Sequence, residues 1–91
     1  MIQKTLAKFK YPSSLLRECD NWYLLLRDPQ VTFGSMILLN KGEQQKYSEI
    51  DKQSYMEFID VIKDIETKVY DFLNYEKINY LMLMMVDPEI H

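Results

Sequence analysis

Apolar residues recur along this chain in distinct rhythms, and each rhythm predicts an element. Ile2, Leu6 and Phe9 carry helical spacing, which predicts a short helix or ordered arm over residues 3–10, stopped by Pro12. Ser14 to Glu18 reads as a short strand and Cys19-Asp20-Asn21 as a tight turn. Trp22 to Arg27 is an almost unbroken aromatic and aliphatic run, the pattern of a strand covered on both faces. Asp28-Pro29 ends it, because proline cannot continue an inner ladder. Residues 29–34 connect to a second apolar strand, Ser35 to Asn40, closed by Lys41-Gly42.

The longest rhythm follows. Tyr55, Phe58, Ile59, Ile62, Ile65, Val69, Phe72 and Leu73 recur every three or four residues, the stripe of one long amphipathic helix. Asp51 stands ahead of it as a capping residue, its carboxylate able to accept from the free amides of the first turn. Ile78 to Val86 is the most hydrophobic segment and predicts a central strand; Asp87-Pro88 turns the chain, and Glu89-Ile90-His91 opens a further stub. Strands joined by short turns pair antiparallel. The predicted fold is α+β: an antiparallel sheet of four to five strands with one long helix packed across it.

Composition narrows the classes of function. A chain of 91 residues, 47% hydrophobic and 27% charged, suits one globular domain, residues 1–91. The net charge of -3 and the absence of a basic cluster argue against a nucleic-acid partner. The longest apolar stretch, Tyr80 to Val86, is far short of the roughly 20 residues a membrane span needs, so no membrane partner is expected. The single cysteine, Cys19, excludes an internal disulfide and suits a reducing, cytoplasmic compartment. It lies between Glu18 and Asp20, surroundings that raise a thiol pKa. Met82, Met84 and Met85 stand among Leu81, Leu83 and Val86 and read as core filling rather than a soft-metal site. The seven tyrosines are spread along the chain, as ordinary packing would have them. No metal or cofactor is expected.

His91 is the only histidine, and Glu89 precedes it by two. In an extended strand both side chains would share a face, and a carboxylate beside an imidazole can do acid–base or nucleophilic work. Taken alone, a histidine at this position is more often solvated and without a task.

Three segments resemble the histidine triad (HIT) family. They are Trp22 to Leu39 with its proline-containing loop, Tyr47-Ser48-Glu49-Ile50 leading into the long helix, and Lys77-Ile78-Asn79-Tyr80-Leu81-Met82-Leu83-Met84-Met85-Val86-Asp87-Pro88-Glu89-Ile90-His91. The resemblance implies a nucleotide hydrolase or transferase that cleaves nucleotidyl phosphoesters or phosphoramidates through a histidine nucleophile. Its ligand would be a nucleotide or nucleotidyl small molecule.

In the family motif, three histidines alternate along a strand. His91 stands at the middle, nucleophilic position and Glu89 at the first. Asp87 lies in the shortened phosphate loop and is the expected substrate contact. Leu26 stands where the family carries an acidic or amide residue for the ribose. The resemblance further implies that the 91 residues are a truncated member, weakly active or inactive, that forms a homodimer through the open edge of Ile78 to Val86. The alternative is a non-catalytic HIT-like binding or dimerisation module.

Overall fold

The computed structural model describes residues 2–27, 34–42, 44, 46–73, 77–82 and 91. The elements are α1 (Ile2–Lys8), β1 (Leu15–Glu18), β2 (Trp22–Leu26), β3 (Met36–Asn40) and, after a short 3₁₀ turn at Tyr47–Glu49, α2 (Lys52–Leu73). The three strands form one antiparallel sheet in the order β1-β2-β3. The architecture is α+β, as the rhythms predict, and the described residues include both the short N-terminal helix and the long one.

Proline does not itself end α1. Lys10 adopts a left-handed conformation at φ 70, and the Tyr11 amide reaches back to the Leu6 carbonyl at 2.9 Å. That geometry closes the helix before Pro12 is reached, in the manner of a left-handed C-terminal cap. Glycine usually fills this position, and a lysine there carries steric strain.

β2 is buried on both sides, as its unbroken apolar run requires. Leu25, with Ile37 and Leu39 of β3, faces α1 and packs with Leu6 and Phe9; Ile2, Tyr11, Leu15 and Tyr23 border this cluster. Trp22 faces the other way and packs with Ile50, bordered by Cys19, Leu38, Tyr55 and Phe58. The sheet therefore lies between α1 and α2.

A bulge in β1 sets which of its side chains meets which layer. Leu15 pairs with Leu25, but Arg17 pairs with Leu24, so the register slips by one between them. Without the slip, Leu15 and Arg17 would share a face. With it, Leu15 borders the α1 core while Arg17 reaches Asp64 on α2. Leu16, the inserted residue, is exposed.

The capping residue of α2 is Asp51, as expected: its Oδ1 accepts from the Ser54 amide at 2.7 Å. The face that α2 turns to the sheet differs from the expected stripe. Val61 is completely buried and Ser54 nearly so, while Ile59 is 50% exposed. Two sets of bonds fix this rotation. The Trp22 indole donates Nε1–H to the Ser54 carbonyl at 2.8 Å. Asn21 donates its backbone amide to Glu57 Oε1 at 2.9 Å and its side-chain amide to Oε2 at 2.8 Å. Both anchors come from the β1–β2 corner, and they turn Ser54, Phe58 and Val61 toward the sheet in place of Ile59.

Of the predicted sheet of four to five strands, the described residues show three. Residues 78–82 of the expected strand Ile78 to Val86 are in no strand, and the remainder lies outside the described residues. Tyr80 sits against α2. Its hydroxyl donates to Glu66 Oε2 at 2.6 Å, holding this segment beside α2, with Leu81 76% exposed.

Candidate functional site at the end of α1

The sequence singles out His91, Glu89 and Asp87. Glu89 and Asp87 lie outside the described residues, so the structure neither joins them to His91 nor separates them. His91 is described. It is half-buried and belongs to no strand. Its ring packs against Phe9, with centroids 6.2 Å apart and planes tilted by 49°.

Phe9 is a fixed support. Its amide donates to the Thr5 carbonyl at 3.2 Å, and its own carbonyl accepts from the Ser14 hydroxyl at 2.6 Å. Its ring is buried in the cluster that joins α1 to β2 and β3. Lys8, one residue earlier, places its ammonium 5.4 Å from the centroid of the same ring. An aromatic face attracts such a cation. The chain thus brings an imidazole and an ammonium to one aromatic side chain at the end of α1. The spacing of Ile2, Leu6 and Phe9 marks Phe9 as inward-facing, but nothing in the sequence pairs it with His91 across 82 positions.

The β1–β2 corner carries several hydrogen bonds, and its ties are structural. The Asn21 carbonyl accepts from the Lys41 amide at 2.9 Å and from the Asn40 side chain at 3.3 Å. Asn40, almost wholly buried, also accepts from the Gly42 amide at 2.8 Å, so its polar atoms are satisfied. Lys41 reaches across β2 to Glu18 at 2.6 Å and stands 4.7 Å from the Tyr23 ring centroid. Burial pushes the Lys41 pKa down, but the hydrogen bond and charge of Glu18 outweigh it, and the net shift is upward.

Cys19 adjoins this corner. Partial burial pushes its thiol pKa up, helped by Glu57 and opposed by Arg17. The raised pKa agrees with the sequence reading, but the cause differs: the groups that act on it are Glu57 and Arg17, not Glu18 and Asp20. A thiol held protonated is a poor nucleophile.

An open groove of about 610 Å³ runs between β1 and α2, lined by Arg17, Asp60, Lys63, Asp64, Thr67 and Lys68. Arg17 and Lys68 both bind Asp64 Oδ2, at 2.7 and 3.1 Å. With these side chains largely exposed, such pairs contribute about 0–1 kcal/mol each. His91 and Phe9 are not among the lining residues. Among the described residues, no group of three potential metal ligands comes together, and no helix is long and apolar enough to cross a membrane.

The fold and the contacts define an α+β protein whose three-stranded antiparallel meander is held between a short and a long helix. Comparison with family models, with curated proteins and with solved structures finds no match to this chain.

Proposed function

We propose that this chain is a HIT-like nucleotide-handling domain in which His91 is the nucleophile toward a phosphoryl group. The observation that carries the reading is the placement of the only imidazole: it rests on the buried Phe9 ring instead of lying free in solvent. The antiparallel meander followed by a long helix also accords with the resemblance carried by Trp22 to Leu39 and by Tyr47 to Ile50 leading into the helix. In this reading, residues 78–86 supply a further strand when the full HIT-like sheet forms, and Glu89 and Asp87 stand beside the phosphoryl group.

The chemistry has two steps. An imidazole nitrogen of His91 bonds to the α-phosphorus of a nucleotidyl substrate, and the bond from phosphorus to the leaving group breaks. Water then attacks the same phosphorus, the nitrogen–phosphorus bond breaks, and a nucleoside monophosphate leaves. Glu89 orients the imidazole or accepts a proton. Glu89 stands where the family motif carries its first histidine.

A second reading, a non-catalytic HIT-like binding or dimerisation module, has two observations in its favour. Leu26 is partly exposed and offers no hydrogen bond to a ribose. The outer edge of β3 has no strand partner among the described residues, an invitation to pairing with a second copy.

Titration calorimetry with adenosine and guanosine monophosphates tests the proposal. Binding that disappears in His91→Ala supports the first reading. No binding by the unaltered chain overturns it and leaves the module, which then requires a dimer by light scattering at tens of micromolar.

A further inference from the structure

We infer that Phe9 is the positioning residue for His91, so that the end of α1 forms the floor of the nucleophile's site. The inference rests on the proposed role of His91 and deepens it.

The argument begins with rigidity. A nucleophile is effective when its approach to the reacting atom is fixed before the substrate arrives, and a displacement of about 1 Å can cost roughly 10²-fold in rate. Phe9 can fix a neighbour because it is itself fixed. The Thr5 and Ser14 bonds hold its backbone from both sides, and Leu6, Leu25, Ile37 and Leu39 enclose its ring. The His91 ring meets that support at 6.2 Å with a tilt of 49°, within the range of favourable tilted aromatic pairs. The contact joins residues 82 positions apart, so it fixes the His91 ring to the core formed by α1, β2 and β3. Lys8, over the same Phe9 ring, adds positive charge to this support. That is the sign a phosphoryl group approaching His91 requires.

The role differs from ordinary core filling. A residue that only fills space is replaceable by an aliphatic side chain of similar bulk. A residue that orients an imidazole through a ring contact is replaceable only by another ring.

The test uses the whole chain with Phe9→Leu, Phe9→Tyr and, as a control for damage to the same core, Leu6→Ala. Two rates are measured on each folded protein: carbethoxylation of His91 by diethyl pyrocarbonate, and formation of a nucleotidyl adduct at His91 from an adenosine phosphoramidate in a single turnover. Phe9→Leu is expected to raise carbethoxylation several-fold and to lower adduct formation by about tenfold or more. Phe9→Tyr restores both rates, and Leu6→Ala leaves carbethoxylation near that of the unaltered chain.

Carbethoxylation unchanged in Phe9→Leu, or raised equally in Leu6→Ala, overturns the positioning role. If no protein forms an adduct, the proposed function fails. The carbethoxylation rates still decide whether Phe9 holds the ring, so the two failures are distinguishable.

Discussion

Replacing Trp22 with phenylalanine tests how α2 is held on the sheet. The indole does two things: it packs on Phe58, with ring centroids 5.3 Å apart, and it donates Nε1–H to the Ser54 carbonyl at 2.8 Å. Phenylalanine keeps an aromatic ring but removes the donor and the second ring. Ser54 is in the first turn of α2, so its carbonyl also faces the amide four residues on. The lost bond therefore costs about 1 kcal/mol, the low end for a buried acceptor. The missing part of the indole leaves roughly 40 Å³, and at about 24 cal/mol per Å³ an unrelaxed void costs a further 1 kcal/mol or so. The expected loss is about 2 kcal/mol, a large fraction of the roughly 5–15 kcal/mol that holds a domain folded. Because the only tryptophan is removed, urea unfolding is followed by far-ultraviolet circular dichroism. With a slope of about 1–3 kcal/mol per M, the midpoint falls by around 1 M. A loss below about 0.5 kcal/mol would show that the indole is not what fixes the rotation of α2.

Three further outcomes follow from the same geometry. Lys10→Gly relieves the left-handed strain at φ 70 and should stabilise the fold by about 0.5–1 kcal/mol, seen as a higher thermal midpoint. Asn21→Ala, Glu57→Ala and the double variant form a cycle across the clasp; alanine keeps the backbone amide, so the cycle reads the charge-assisted side-chain bond alone, which should give a coupling of about 1 kcal/mol by urea unfolding, with strict additivity as the contrary result. The backbone amide and the hydroxyl of Ser54 hold the Asp51 carboxyl below its usual pKa. Its contribution is therefore complete above the unfolded value near 3.8 and is lost as pH falls through the lower folded value. Asp51→Asn keeps an acceptor at the cap but should flatten the acid limb of a stability–pH curve, and an unchanged limb would contradict that assignment.

The local elements were legible because each depends on neighbours in sequence. β2 and β3 follow from runs of apolar residues bounded by Asp-Pro, Gly34 and Lys41-Gly42, and Asp51 is a capping residue by chemistry and position. What sequence could not supply is phase. The bulge between Leu15 and Arg17 is one inserted residue with no signature of its own, yet it decides that Arg17 meets α2. The broad stripe of α2 admits several rotations. Trp22, Asn21 and Glu57 choose the one that buries Val61 and leaves Ile59 in solvent. Residues 77–82 show the same limit from the other side: despite a β-like composition they are in no strand, and Tyr80 bonds to Glu66 on α2. For the candidate site, the sequence offered His91 by its rarity and by the resemblance of Lys77 to His91, while its contact with Phe9 is a product of the fold alone.

The most direct test of His91 as a nucleophile is mass spectrometry of the intact chain and its peptides after brief incubation with an adenosine phosphoramidate. The account predicts a mass increase of one adenylyl group, located on His91 and absent from His91→Ala. An unmodified chain, or an adduct on any other residue, would contradict it.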